Sequence, residues 1–183
     1  GTVTFPGPTF IAKSNVPVNV TWYNNLPYEH LLPVDHTLHL AHPAGTDPEA
    51  FYAAGNIPTV VHLHGGKTES ASDGLPEAWF TQGFGQTGPH FVKQMYTYHN
   101  TQEAATLWYH DHALGITRLN VYAGLAGFYR LEDKRDRDLV KNNILPKGSH
   151  DIEIVIQDRM FDDGGQLFLP SKTGDPWFGD ALG

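Results

Sequence analysis

Two His-x-His triplets are the residues of this chain best suited to chemistry. The first is His62-Leu63-His64 and the second is His110-Asp111-His112. On a β-strand, residues i and i+2 project from the same face, so each triplet presents two imidazoles side by side. If the two strands are neighbours, four imidazoles converge, and neutral imidazole is a ligand for copper, zinc, nickel and iron. The spacing therefore predicts a metal site.

Two acidic residues lie close to these triplets in the sequence. Asp73 precedes Gly74, a pair typical of a turn in which the aspartate caps its own backbone. The competing interpretation of Asp73 is a proton donor beside the metal. Asp111 lies between two predicted ligands, so its side chain must point to the opposite face, which favours a structural role.

The composition excludes several other classes of function. The 183 residues carry a net charge of −8 and form no basic block, which argues against nucleic acid or an anionic membrane as the partner. There is no cysteine, which excludes disulfides, thiolate zinc sites, iron–sulfur clusters and a cysteine nucleophile. Histidine is left as the main metal ligand. The seven histidines outside the triplets are irregularly spaced or isolated and receive no metal role.

The elements that must position the triplets are predicted from hydrophobic alternation. Val18, Val20 and Trp22 alternate with polar residues, the pattern of a half-buried strand. Segments with this character, bounded by turn residues, are predicted as strands. They are residues 9–13, 17–24, 36–40, 59–64, 90–99, 105–110 and 150–157. Short strands at turn-rich spacing, with no long helical period, predict an all-β sandwich or barrel.

Three further segments receive specific predictions. Residues 67–88 are predicted as a loop with one short helical turn. Residues 118–131 are predicted as two strand segments with a kink or bulge at Gly124 and Gly127. The mixed-charge residues 132–138 predict a solvated turn or linker.

The residues around both triplets resemble those of three-domain multicopper oxidases, most closely the bacterial spore-coat laccase with its relatives phenoxazinone synthase and bilirubin oxidase. The resemblance covers nearly the whole chain in order. It rests on Val-Val-His-Leu-His-Gly-Gly at 60–66, Asp-Gly-Leu-Pro-Glu-Ala-Trp-Phe at 73–80 and Leu-Trp-Tyr-His-Asp-His-Ala at 107–113. Residues 5–9, 22–27, 117–127 and 157–159 also fit the family's pattern.

The resemblance implies a fold and a domain organisation. Residues 1–134 would form a Greek-key cupredoxin-like β-sandwich, lacking the family's strand or strands before Phe5. Residues 135–150 would be a linker, and residues 151–183 would begin a second cupredoxin-like domain.

The resemblance also implies a copper centre. His62 would bind the type 2 copper, His64 and His110 one type 3 copper, and His112 the other. Together they would supply half the ligands of a trinuclear cluster. Asp73 matches the family's acidic residue for proton delivery, which reverses the preference for a capping turn.

The implied activity is the one-electron oxidation of phenolic or related aromatic substrates, coupled to the four-electron reduction of dioxygen to water. The type 1 copper needs a cysteine thiolate, so its ligands are expected in the C-terminal portion of such an enzyme. The expected partners are therefore the second and third cupredoxin domains, together with dioxygen and the reducing substrate. The resemblance favours an extracellular or spore-coat location, which the residues themselves do not identify.

Two alternatives remain open from the sequence. The chain could be a stand-alone copper-binding module without turnover. It could also be a mononuclear zinc or iron enzyme of the cupin type, using His62, His64 and one or both of His110 and His112.

Overall fold

The computed structural model describes residues 4–175 and contains eight strands and three short helices in that range. The strands are β1 Gly7–Lys13, β2 Val18–Thr21, β3 Val61–His64, β4 Met95–Tyr98, β5 Ala105–Asp111, β6 Ala126–Glu132, β7 Met160–Phe161 and β8 Leu167–Phe168. The helices are α1 Pro48–Ala53, α2 Thr117–Ala123 and α3 Lys134–Lys141. Single 3₁₀ turns occur at Ser70–Ser72, Gln82–Phe84 and Gly148–His150.

Two sheets form the sandwich that the sequence predicts. The larger sheet has the strand order β1-β6-β5-β3, with β1 parallel to β6 and the other pairs antiparallel. The smaller sheet pairs β2 with β4. Apolar and aromatic side chains from both sheets fill the space between them, because each strand turns one face inward. This core contains Ala12, Leu63, Tyr96, Tyr98, Leu107, Tyr129 and Leu131.

A second core lies beside the sandwich and is built largely from the segments between β2 and β5. The Asp47 carboxylate caps α1 by accepting hydrogen bonds from the Glu49 and Ala50 amides, and Pro48 occupies the first turn. Helix α1 buries Phe51 and Tyr52 in this core. The other buried members are Leu32, Leu40, Ala41, Val60, Ala78, Trp79, Ala113, Ile116 and Leu119.

Helix α2 corrects the prediction of two strands at 118–131. Only the second half is a strand, β6. The first half is helical because Leu119, Tyr122 and Ala123 recur at helical spacing and pack on the second core. Gly124, in the left-handed conformation at φ +119°, ends the helix. The β-branched and aromatic residues of this segment had concealed the helical period.

Other local predictions were also wrong. Residues 36–40 form turns rather than a strand, and the predicted strand at 90–99 is shortened to β4. Among residues 4–175 no helix is longer than eight residues, as predicted, but the short helix α1 was not predicted. The solvated segment 132–138 is largely helix α3, which has no buried residue. The loop at 67–88 has two 3₁₀ turns where one was predicted.

The segment 150–157 forms no strand. Ile152, Ile154 and Ile156 are exposed (69%, 73% and 93%), since no neighbouring strand among residues 4–175 pairs with this stretch. Asp151 and Glu153 are instead ion-paired with Arg130 of β6. The division into a domain at 1–134, a linker at 135–150 and a second domain from 151 stays a prediction. Residues 176–183, at the end of that second domain, lie outside the described residues, and so do residues 1–3.

In the part of the chain that the structure describes, no helix combines the length and the apolar character needed to cross a membrane.

Candidate metal centre

The pairing of β3 with β5 brings the two triplets together. His62 lies directly opposite His110 in the antiparallel register, and His64 lies opposite Trp108. The imidazole centroids are 5.6 Å apart for His62 and His110 and 5.4 Å apart for His64 and His110. His112 follows β5 and stacks on His62 at 4.7 Å. The predicted convergence of four imidazoles is therefore present.

Backbone carbonyls orient three of the four rings. The Nδ1 atom of His62 lies 2.6 Å from the Asp73 carbonyl oxygen, that of His112 lies 2.8 Å from the Gly74 carbonyl, and that of His110 lies 2.6 Å from the Asp111 carbonyl. A carbonyl oxygen only accepts, so each Nδ1 carries the proton. The Nε2 lone pair of each ring is then free for a metal, the arrangement found around metal-binding histidines.

His64 differs because its Nδ1 atom faces the centre. That atom lies 3.2 Å from Nε2 of His110. Without a metal, His64 donates this hydrogen bond, since the proton of His110 is on Nδ1. The same separation suits two nitrogen ligands of one divalent cation at roughly 2.0–2.1 Å each.

The His110 ring is buried, and this keeps it neutral. Burial, with a smaller effect from the neighbouring imidazoles, lowers the pKa of His110 to about 4. Neutral imidazole is the form that binds metal. Trp108 covers the ring, with centroids 4.2 Å apart, and also stacks on His64 at 5.2 Å. Reasoning from sequence missed this contact, although the i, i+2 spacing of Trp108 and His110 places both on one face.

The two acidic residues near the triplets differ in their burial and in their partners. The Asp73 carboxylate accepts a hydrogen bond from the Thr68 hydroxyl and lies 3.6 Å from Nδ1 of His62. The Asp111 carboxylate is fully buried on the opposite face, where it accepts from the Thr59 hydroxyl at 2.8 Å and from the Ala113 amide at 3.1 Å. Asp111 therefore has the structural role predicted for it.

The imidazole nitrogens are suitable ligands for copper, but too few of them meet at any one point to complete a metal site. Imidazole nitrogens suit copper above the other divalent first-row metals. Among residues 4–175, however, no three His, Asp or Glu side chains converge on a single ion position. A metal ion held by these imidazoles would therefore need further ligands. A cavity of about 310 Å³ lies beside His110 and Trp108.

Comparison with known proteins agrees with this geometry. Residues 53–136, which include all four histidines, match the multicopper oxidase family model. The chain is 52% identical over 170 residues to a laccase of Bacillus stratosphericus and 48% identical over 172 residues to a laccase of Bacillus subtilis. These matches cover 93% and 94% of this chain and 31% of each laccase.

A solved structure shows the same fold. The McoA multicopper oxidase of Aquifex aeolicus superimposes with a TM-score of 0.63 at 24% identity, covering 89% of this chain and 28% of that one. The predicted cupredoxin-like sandwich is thus confirmed as the fold. The chain spans about a third of the length of the laccases that it matches. Through the domain that carries its paired His-x-His motifs, this chain belongs to the multicopper oxidase family.

Proposed function

We propose that this chain supplies four imidazole ligands to a trinuclear copper cluster in a laccase-like oxidase. The observation that carries the proposal is the convergence of His62, His64, His110 and His112 on the pair β3–β5. Their partial ligand sets support completion of the cluster by further ligands, which we assign to another domain of the same enzyme.

The type of each copper follows from the family resemblance. His62 would hold the type 2 copper, His64 and His110 one type 3 copper, and His112 the other. The approach of His64 Nδ1 to His110 Nε2 at 3.2 Å supports the shared position of that pair. Copper bound there would supply the redox chemistry of the four-electron reduction of dioxygen to water, coupled to one-electron oxidation of a phenolic or related aromatic substrate.

The residues of this chain hold the ligands and provide protons. Carbonyls of Asp73, Gly74 and Asp111 keep three rings oriented, which limits rearrangement when the metal changes charge. We assign proton delivery to the Asp73 carboxylate, because it lies 3.6 Å from His62 and is partly exposed to solvent. The cavity beside His110 is large enough to admit a molecule the size of dioxygen.

The alternative of a mononuclear zinc or iron site is less well supported. A cupin-type centre needs three or more side chains on one ion, and residues 4–175 provide no such group. A copper module without turnover would bind copper but consume no dioxygen, so activity measurements distinguish it from the oxidase.

The first experiment replaces a ligand in the full-length protein. We expect His110→Ala, or equally His64→Ala, to reduce dioxygen uptake with a phenolic substrate to background, while the colour of the type 1 copper remains. The reason is that removing either imidazole opens the shared position. His150→Ala, which changes an exposed histidine outside the centre, is the matched control. Normal dioxygen uptake by His110→Ala would refute the assignment.

A further inference from the structure

A single turn contacts one imidazole from each triplet. The carbonyl oxygen of Asp73 accepts from Nδ1 of His62, and the next carbonyl, that of Gly74, accepts from Nδ1 of His112. His62 is on β3 and His112 follows β5, so two consecutive peptide groups connect two neighbouring chain segments. The two rings are stacked, with an angle of 22° between their planes.

Glycine is required at position 74 for two reasons. Its backbone φ of +71° is one that residues with a side chain rarely adopt. A Cβ atom there would also overlap the carbonyl oxygen of Val61 and lie 2.9 Å from the amide nitrogen of His62. Both of these backbone groups belong to β3. Any side chain at position 74 would therefore push the turn away from the strand that carries His62.

The other two imidazoles do not depend on this turn. His110 is oriented by the carbonyl of Asp111, and His64 bonds to His110. The four imidazoles thus form two separately supported pairs. The turn orients His62 and His112, whereas the Asp111 carbonyl orients His110, to which His64 is bonded.

We propose that Gly74 is a positioning residue, which allows the Asp73–Gly74 turn to orient His62 and His112 together with their Nε2 atoms free for metal. The effect of Gly74 on copper binding rests on the proposed function, whereas the orientation of the two rings is a property of this chain alone. A change at Gly74 should therefore weaken metal binding at His62 and His112 and spare the pair His64–His110.

The test compares Gly74→Ala with Gly45→Ala in the full-length protein. Gly45 also has a positive φ, +78°, but a Cβ there meets no atom within 4 Å, so this control carries the backbone strain without the overlap. Metal-free protein is titrated with Cu(II) against a competing chelator. We expect part of the copper to bind roughly 10–100-fold more weakly in Gly74→Ala, the usual effect of losing a group that orients a ligand, and Gly45→Ala to match the wild type. Equal affinities in all three proteins would overturn the proposal.

A second measurement needs no variant and applies even if Gly74→Ala fails to fold. In metal-free wild-type protein with ¹⁵N-labelled histidine, NMR should show His62 and His112 as Nδ1–H tautomers. Finding either ring mainly as the Nε2–H tautomer would overturn the proposal. Both Nδ1–H signals in a protein that binds no copper would support the turn's role and contradict the proposed function. Copper binding by a protein in which these rings are not Nδ1–H tautomers would contradict the turn's role and support the proposed function.

Discussion

At the scale of single residues, both the backbone and the side chain of Asp73 lie beside the His62 ring. Its backbone carbonyl holds the His62 ring, and its carboxylate, bonded to the Thr68 hydroxyl, lies beside the same ring. A substitution of the side chain leaves the carbonyl in place. The proton-delivery role that we propose for Asp73 can therefore be tested without disturbing the orientation of the His62 ring.

For Asp73→Asn in the full-length protein, we expect dioxygen reduction to slow by roughly 100-fold, within the usual contribution of a positioned proton donor. The loss should grow as pH rises, because water then supplies protons less readily. Copper content should not change. Dioxygen uptake across pH and copper analysis check this, with the exposed Asp163→Asn as control. Full activity at every pH would remove the proton role from Asp73.

At the scale of elements, the register of the larger sheet is set by packing across the strands as well as by hydrogen bonds. Tyr109 of β5 is opposite Gly127 of β6, and its hydroxyl donates to the Pro8 carbonyl, 2.8 Å away, at β1. The ring can cross β6 only because Gly127 has no side chain: a Cβ there would overlap the ring. Tyr109 adjoins His110, so this contact supports the strand that carries His110.

We expect Gly127→Ala to lower the free energy of unfolding by about 1–3 kcal/mol, the usual cost of overpacking a filled site. Gly85→Ala is the matched control, since a Cβ at Gly85 has its nearest neighbour at 3.6 Å. Urea denaturation of both variants checks the difference. If Gly127→Ala were as stable as Gly85→Ala, the Tyr109 contact would not set the register.

At the scale of the whole molecule, Asp111 connects the sandwich to the second core. Its carboxylate accepts from Thr59 and Val60, which lead into β3, and from Ala113 in the loop after β5. Burial raises the pKa of Asp111 to about 6 from an ordinary 3.8, although these hydrogen bonds oppose the shift. The folded state therefore holds a proton on Asp111 at pH values where the unfolded chain has released it.

The sign of the pH dependence follows from this raised pKa. The stability contributed by protonated Asp111 is complete below pH 3.8 and is lost as pH rises through about 6. The difference of about 2 pKa units corresponds to about 3 kcal/mol. Relative to Asp111→Asn, which does not titrate, the metal-free wild type should lose that stability over this range. Urea midpoints measured from pH 4 to 7 check this, and parallel curves for the two proteins would contradict it.

The pairing of the histidines on each strand and the general fold were predictable because they depend on local periodicity. Alternation places His62 with His64, and His110 with His112, on one face of a strand, whatever the rest of the chain does. The sandwich followed from short strands and frequent turns. The N-terminus of α1 also has a local signal in the sequence, the capping Asp47 followed by Pro48. The segment 118–131 misled because β-branched and aromatic residues are favoured in strands, while packing made its first half a helix.

The orientation of the rings and the pairing of strands depend on contacts between residues far apart in the chain, so only the tertiary structure decided them. His112 and Gly74 are 38 positions apart, so no local pattern predicts that a carbonyl at 74 orients a ring at 112. Residues 150–157 alternate like a strand but pair with no strand in the described range 4–175, and a strand needs a neighbour to accept its hydrogen bonds. The sequence alone thus determined which side chains can hold a metal and their spacing along each strand. The fold decided which backbone groups orient those side chains, since that orientation arises from contacts between distant segments.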